Sequence, residues 1–102
     1  MDLEEIIMGI IVNGGGAKSK ALEAIQAARA GDFPGAEALM CECEAALAQA
    51  HKVHTHLLTL ETGGERDVTV TLLMVHAQDH LMSAVTTRDL ALELVEVYRR
   101  IP

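Results

Sequence analysis

Hydrophobic and small residues recur at alternating steps of four and three along the first part of the chain. The members of this seam are Leu3, Ile7, Ile10, Gly14, Ala17, Ala21, Ala24 and Ala28. Such a heptad-like pattern predicts a helix that buries one narrow stripe. The first half of the seam is bulky and the second half is small, so a neighbouring helix could approach more closely there. Asp2 and Glu5 have the spacing of a capping box, which predicts a helix start near the first residue.

Three consecutive glycines interrupt this seam at residues 14–16. Each glycine in a helix interior costs about 0.8–1 kcal/mol relative to alanine. The seam keeps its phase on both sides of the glycines, and we therefore predict a continuous but weakened helix. A phosphate-binding P-loop ending at Lys18 and Ser19 would need glycines where Val12 and Ala17 stand and should follow a strand, so the sequence does not support one.

Gly31, Asp32 and Pro34 mark a short connection to a second helix. Glycine commonly ends a helix, aspartate caps the next one, and proline is tolerated in a first turn. The second helix should run to about Leu60. Its apolar stripe consists of Ala36, Met40, Cys43, Leu47, Ala50, His54 and Leu57, with Leu39, Ala46, Val53 and Leu60 beside it. A connection this short implies that the two helices are antiparallel neighbours.

A polar, glycine-containing stretch at residues 61–66 predicts a surface loop, after which Asp67 is the expected cap of a third helix. Two apolar seams run along that helix. One contains Val68, Leu72, Val75, Asp79 and Met82, and the other contains Val70, Leu73, Ala77, Leu81 and Ala84. A monomeric three-helix bundle needs one broad buried face per helix, so two apolar faces suggest contacts with other subunits. Residues 86–89 loosen the pattern before it continues, which predicts one long helix with a local bend.

Half of the 102 residues are hydrophobic, but Trp is absent and the chain has one Phe and one Tyr. Ala, Leu, Val, Ile and Met must therefore form the core, a composition typical of close-packed helices rather than of strands. At this length, one small core is all that the chain can bury unaided. We predict a single all-α domain over residues 1–102, folded as an antiparallel up-down three-helix bundle.

The chain is acidic, with a formal net charge of -7. This charge argues against a nucleic-acid partner, because such binding depends on Lys and Arg that neutralise phosphates. It suits a protein whose docking partners carry basic surfaces. No apolar run approaches the roughly 20 residues needed to span a bilayer, and the acidic N-terminus lacks the basic flank of a signal peptide. We therefore expect a cytoplasmic protein with no direct membrane insertion.

Cys41 and Cys43 lie two residues apart, so on one helix they point to different sides and are poorly placed to bond each other. We expect both thiols to be reduced, with Cys43 as a small core residue and Cys41 at a surface or interface. The chain has no second cysteine pair, so a metal site built on these cysteines is not expected.

The five histidines of the chain invite a metal hypothesis. His51 and His56 lie off the apolar stripe and are expected to be solvated, whereas His54 lies on the stripe and is expected to be partly buried. The spacing of His51 and His54 could hold a metal ion. No carboxylate lies in the same turn to complete such a site.

Helical spacing places His76, Asp79 and His80 on one side of the third helix, within about one turn. A carboxylate in an otherwise apolar seam is costly unless it is paired, protonated or bound to a cation. In a symmetric trimer, three copies of Asp79 could converge on the axis and share one divalent ion. An Asp79 at the edge of the seam, bonded to a neighbouring side chain, is an equally open alternative.

Two chemistries fit the spacing of His76, Asp79 and His80. The first is a helical metal hydrolase, because His-x-x-acid-His resembles an inverted zinc-protease motif, although that motif uses Glu and needs a further ligand. The second is phosphoryl transfer through a neutral His76 imidazole, with Gln78 and His80 as donors to the phosphoryl oxygens. A third hypothesis is a non-catalytic helical regulatory partner whose histidines bind metal or sense pH.

The string Val-His-Ala-Gln-Asp-His-Leu-Met at residues 75–82 resembles the lactose/cellobiose (chitobiose) class of enzyme IIA components. These belong to the bacterial phosphoenolpyruvate-dependent sugar phosphotransferase system (PTS). The resemblance covers nearly the whole chain, through residues 8–13, 17–19, 31–33, 50–51, 55 and 73–90. Residues 8–13 place the chain nearer to the chitobiose/cellobiose branch than to the lactose branch. The family usually has Gln where this chain has His54, so the role of that Gln cannot be transferred.

The resemblance implies a homotrimer of three-helix bundles, with nine helices. His76 would accept phosphate from the phosphocarrier HPr and pass it to a cysteine of the IIB component, for uptake of a disaccharide such as cellobiose, chitobiose or lactose. Asp79 would coordinate a divalent ion, usually magnesium, on the three-fold axis, with Gln78 and His80 near the phosphoryl pocket. His76 should act in its neutral form, so that transfer slows as the pH falls below the range in which imidazoles titrate.

Overall fold

The computed structural model describes residues 2–63 and 69–102, which form three helices and, within those ranges, no strand. Helix α1 spans Leu3–Arg29, α2 spans Phe33–Thr62 and α3 spans Leu72–Arg100. The helices form an antiparallel up-down bundle with principal extents of 56 × 19 × 17 Å. Helix α1 contacts both other helices extensively, whereas α2 and α3 contact each other much less. The predicted all-α bundle is therefore confirmed, with α1 as its central element.

The connection between α1 and α2 has the geometry that its sequence predicts. Gly31 has a φ of +85°, in the left-handed region that favours glycine. Its N–H donates to the carbonyl of Ala28 at 3.0 Å, which closes the end of α1. The carboxylate of Asp32 accepts a hydrogen bond from the N–H of Gly35 at 2.9 Å, and Pro34 lies in the first turn of α2.

Helices α1 and α3 are both continuous where the sequence pattern is interrupted. Helix α1 runs through the glycines at residues 14–16, and α3 runs through residues 86–89. A Cβ at Gly14 would lie 3.4 Å from the carbonyl carbon and oxygen of His80, so glycine here permits a close approach of α1 to α3. At Gly15 and Gly16, a Cβ would meet no described atom of another helix within 4 Å.

Helix α3 begins later than the sequence predicts. Its first residue is Leu72 and its cap is Thr71, whose hydroxyl accepts a hydrogen bond from the N–H of Met74 at 3.2 Å. The predicted cap, Asp67, and the residue after it lie outside the described part of the chain. Val70, which we placed on the helix, precedes it. The β-branched residues before Leu72 have low helix propensity, which explains the late start.

The other predicted boundaries lie close to the observed ones. The carboxylate of Asp2 accepts a hydrogen bond from the N–H of Glu5 at 2.8 Å, as a capping residue should. The loop predicted at residues 61–66 begins two residues later than expected, because α2 continues to Thr62. Residues 64–66 lie outside the described part of the chain.

All three helices contribute to the core. The buried side chains of α1 and α2 are Ile6, Ile7, Ile10, Ala17, Ala21, Ala24, Ala28, Ala36, Met40, Cys43, Leu47, Ala50 and Leu57. All of these except Ile6 belong to the predicted stripes, whose first member, Leu3, is only partly buried. Cys43 is buried and Cys41 is exposed, and both are free thiols. His54 is partly buried on the α2 stripe, while His51 and His56 are exposed, as predicted. Within residues 2–63 and 69–102, no helix contains an apolar stretch that could span a bilayer.

Candidate functional site

Helix α3 carries one buried face, one exposed face with apolar residues, and two flanks between them. The buried face consists of Ala77, Leu81, Ala84, Ala91 and Val95, and the exposed face contains Leu72, Val75, Asp79 and Met82. The exposed face is thus one of the two predicted seams, and its Leu72 is 86% exposed. At about 100° of rotation per residue, His76 and His80 fall on one flank and Gln78 falls on the other.

His76 and His80 are in direct contact on their flank of α3. Their Nε2 atoms lie 3.1 Å apart, and the rings meet edge to face with centroids 4.4 Å apart. In a hydrogen bond between them, one Nε2–H donates and the unprotonated Nε2 of the other ring accepts, so each ring constrains the tautomer of its neighbour. His76 is exposed and His80 is partly buried. An accessible neutral imidazole is a chemically suitable nucleophile for phosphoryl transfer.

The two imidazoles border a groove of about 180 Å³ between α3 and α1. The other residues that line this groove, called the His76 groove below, are Lys18, Asp79 and Ser83. The sequence pattern assigns no role to Lys18 or Ser83. Lys18 follows Gly14 by four residues and therefore lies on the side of α1 that, in the structure, approaches α3 closely.

Gln78 borders a different groove from that of His76. This second groove has a volume of about 240 Å³ and lies between α2 and α3, where Gln78 is accompanied by His54, Leu57 and Val75. Gln78 and His76 are separated by about 200° of helical rotation. Within one chain, the structure therefore brings together His76, Asp79 and His80 and leaves Gln78 apart.

The Asp79 carboxylate is exposed between the two flanks and borders both grooves. It takes part in none of the hydrogen bonds or ion pairs found between side chains of residues 2–63 and 69–102. Those residues also contain no group of three His, Cys, Asp or Glu side chains that could hold a metal ion. A single chain offers one carboxylate here. Carboxylate oxygen is the ligand that hard divalent ions prefer, so Asp79 fits a metal site only if subunits share it.

Away from the grooves, Arg88 ties α3 to α2. Its Nη1 donates to both carboxylate oxygens of Glu44 at 2.9 Å, and its Nε donates to Asp89 at 2.7 Å. The hydrogen bonds to Glu44 and Asp89 raise the pKa of the Arg88 guanidinium. Burial raises the pKa of the Cys43 thiol, and the charge of Glu44 acts in the same direction. These groups hold helices together and do not contribute to the His76 groove.

Comparison with known proteins identifies the family. Residues 5–99 match the model of the family described as "PTS system, Lactose/Cellobiose specific IIA subunit", and the chain belongs to this family. It is 46% identical over 100 residues to the lichenan-specific phosphotransferase enzyme IIA component of Bacillus subtilis (strain 168). That alignment covers 98% of this chain and 90% of the relative. The resemblance inferred from the string around His76 is therefore confirmed.

Solved structures of similar proteins have the same fold. The crystal structure of the PTS cellobiose-specific enzyme IIA from Bacillus anthracis superimposes with a TM-score of 0.92 at 38% identity, covering 98% of this chain and 92% of that one. The solution structures of the IIA(Chitobiose)–HPr complex of the Escherichia coli phosphotransferase system give a TM-score of 0.79 at 40% identity. The coverage in this second case is 98% of this chain and 96% of the other.

Proposed function

We propose that this protein is a phosphoryl carrier in which His76 accepts phosphate from phospho-HPr and passes it to a cysteine of the IIB component. The observation that carries this proposal is the contact between His76 and His80, with Nε2 atoms 3.1 Å apart at the mouth of an open groove. It places an accessible imidazole next to a second ring nitrogen that can bond a phosphoryl oxygen. The similar IIA(Chitobiose) protein, solved in complex with HPr, supports HPr as the donor.

The two transfers need only nucleophilic groups and positioning. In the first, the lone pair of a neutral His76 ring nitrogen attacks phosphorus, and the bond from phosphorus to HPr breaks with its electron pair leaving on HPr. In the second, a IIB thiolate attacks the same phosphorus, and the electron pair of the P–N bond returns to His76. Neighbouring donors such as His80 would stabilise the charge on the phosphoryl oxygens during both steps.

We further propose that three copies assemble around the exposed face of α3. Leu72, Val75 and Met82 expose 86%, 45% and 46% of their surfaces in the single chain. Large exposed apolar side chains grouped on one helix face mark an interaction surface, and a self-association surface would bury them. Closed cyclic symmetry is the usual arrangement of such homo-oligomers, and a trimer agrees with what the resemblance implies.

Cyclic assembly would also bring Gln78 to the transfer site at His76. If the exposed faces of three α3 helices meet on an axis, the flank that bears His76 in one subunit faces the opposite flank of the next subunit. Gln78 would then approach the phosphoryl group on His76 from the neighbouring subunit. This arrangement explains how two donors that lie apart in one chain could serve one site.

Asp79 would lie nearest the axis of this trimer, where three carboxylates would repel one another. A divalent cation, for which magnesium is our proposal, would offset that repulsion by accepting one oxygen ligand or more from each subunit. His76 lies about 60° away from Asp79 around the helix, which leaves it at the boundary between subunits. Assembly and phosphoryl transfer would therefore depend on residues within one turn of α3.

The sugar is proposed from the relatives. Similar proteins are named for lichenan and cellobiose, and the solved complex comes from the N,N′-diacetylchitobiose branch. We propose that phosphate carried by His76 supports uptake of a disaccharide such as cellobiose, chitobiose or lactose. Phosphate-dependent uptake of these sugars, measured one at a time, would identify the substrate.

The decisive experiment is phosphorylation by enzyme I, HPr and radiolabelled phosphoenolpyruvate. We expect acid-labile label on the wild type and none on His76→Ala, while His56→Ala, which changes an exposed histidine of α2, labels normally. Label that persists at the wild-type level in His76→Ala would contradict the assignment of His76 as the phosphoryl acceptor. Absence of label from the wild type would instead favour a non-catalytic partner whose histidines bind metal or sense pH.

A further inference from the structure

We propose that Lys18 binds the phosphoryl group on His76 and is the residue by which α1 contributes to the transfer site. The inference rests on the proposed function, since it names a binding residue for the same phosphoryl group. Lys18 lines the His76 groove together with the two imidazoles, while all other residues of that groove come from α3. Its side chain is partly buried, so the ammonium group does not have the full freedom of a surface lysine.

The packing of α1 against α3 explains how Lys18 reaches this groove. At Gly14 the backbone of α1 approaches the backbone of His80 so closely that a Cβ would lie 3.4 Å from it. Ala17 and Ala21, on the same seam, are completely buried. Lys18 lies one turn after Gly14 and next to Ala17, so the small residues hold its stem against α3.

The negative charges around a phosphorylated His76 would favour a cation such as Lys18 in the groove. A phosphoryl group on a side chain carries about two negative charges at pH 7. It would enter a chain of formal net charge -7, beside the carboxylate of Asp79. Among the described residues that line the His76 groove, Lys18 is the one lysine or arginine. It would therefore offset charge repulsion that the imidazoles alone cannot offset.

Lys18 is also not engaged elsewhere in the part of the chain that the structure describes. Of the two lysines on α1, Lys20 forms ion pairs with Glu42 at 3.6 Å and with Glu23 at 3.9 Å. Lys18 forms none of the ion pairs found among residues 2–63 and 69–102, not even with Asp79, which borders the same groove. Within the described residues, therefore, no carboxylate competes with a phosphoryl group for the Lys18 ammonium.

The test compares variants at Lys18 with a matched change at Lys20. The first measurement is the equilibrium of phosphate between HPr and the full-length protein, with enzyme I removed after labelling. The second is the pKa of the phosphoryl group on His76, followed by ³¹P nuclear magnetic resonance. We expect Lys18→Ala and Lys18→Met each to shift the equilibrium about tenfold toward phospho-HPr, as loss of one charge-assisted hydrogen bond should. Both should raise the phosphoryl pKa, because a nearby positive charge favours the dianion.

The controls separate charge from packing. Lys18→Met keeps most of the apolar stem, and Lys18→Arg, which keeps the charge, should restore the equilibrium to within about threefold of the wild type. Lys20→Ala removes the same charge from α1 and should change neither quantity. If Lys18→Met matches Lys20→Ala in both measurements while His76 is labelled, the inference fails and the proposed function stands. If the wild type takes no label on His76, both fail.

Discussion

The two apolar faces of α3 look alike in sequence and differ completely in the folded chain. Leu81 on one face is fully buried, whereas Leu72 on the other is 86% exposed. The difference comes from α1, whose small residues and Gly14 bring its backbone against His80 and Leu81. A periodic pattern therefore shows that a face needs a partner. Whether that partner lies in the same chain or in another depends on the remaining helices.

The flanks between these faces carry the residues of the proposed transfer site. His76 and His80 lie on one flank, where α1 closes a groove, and Gln78 lies on the other flank, beside α2. Each flank borders both the core and the exposed face. A flank is thus a position where one chain can supply a nucleophile and an adjacent subunit can supply a donor.

The largest effect should come from removing the imidazole beside His76. We expect His80→Ala to slow phosphorylation by phospho-HPr about 100-fold, because loss of a preorganised donor to a developing charge commonly costs that much.

Gln78→Ala should slow phosphorylation by phospho-HPr less than His80→Ala does. Mixed trimers of His76→Ala and Gln78→Ala subunits should recover part of the activity, because some sites would then combine an intact His76 with a neighbour's intact Gln78. Mixed trimers no faster than the Gln78→Ala protein alone would argue that Gln78 acts within its own chain.

The two faces can be compared directly by leucine truncation. Leu81→Ala should lower the free energy of unfolding by about 3 kcal/mol, because it leaves a cavity between α1 and α3. Leu72→Ala should change the stability of an isolated chain by about 0.5 kcal/mol or less, but should weaken self-association. Urea unfolding at two protein concentrations, with sedimentation of each variant, measures both quantities. Equal losses for the two variants at every concentration would contradict the assignment of the faces.

Most of the fold could be predicted because helical periodicity depends on local spacing alone. The seam from Leu3 to Ala28 kept its phase across the glycines, and α1 is continuous there. The start of α3 could not be placed in this way. Its position depends on a weak competition between low helix propensity before Leu72 and the capping hydroxyl of Thr71.

The candidate site was predictable only where its residues lie within one helical turn. His76, Asp79 and His80 share a groove as the spacing indicated. Lys18 was missed because its place beside His76 depends on how closely α1 approaches α3, a distance that no single segment encodes. The separation of Gln78 from His76 follows from helical rotation. That the two residues border different grooves, one lined by Lys18 and the other by His54, depends on how the other helices pack against α3.

The carboxylate on the exposed face provides the next test. We expect Asp79→Leu to give a folded trimer without axial metal, as stable as the wild type or up to about 2 kcal/mol more stable. Replacing crowded buried charges by apolar groups is often neutral or stabilising. Metal content by elemental analysis and subunit mass by sedimentation measure the outcome. A metal ion retained at one per trimer, or a protein that no longer folds, would contradict the axial position of Asp79.

The smallest expected effect concerns two glycines of α1, of which Gly14 is buried against α3 and Gly16 is exposed. Gly16→Ala should raise the free energy of unfolding by about 0.5–1 kcal/mol, because alanine favours the helix and the added methyl group would meet no described side chain and no other helix within 4 Å, its chain neighbours aside. Gly14→Ala should give little or none of that gain, since its methyl group would lie 3.4 Å from the backbone of His80. Thermal and urea unfolding of both variants measure the difference. An equal gain at both positions would mean that α1 and α3 can separate slightly at no cost, and that the close approach at Gly14 is not what positions the His76 groove.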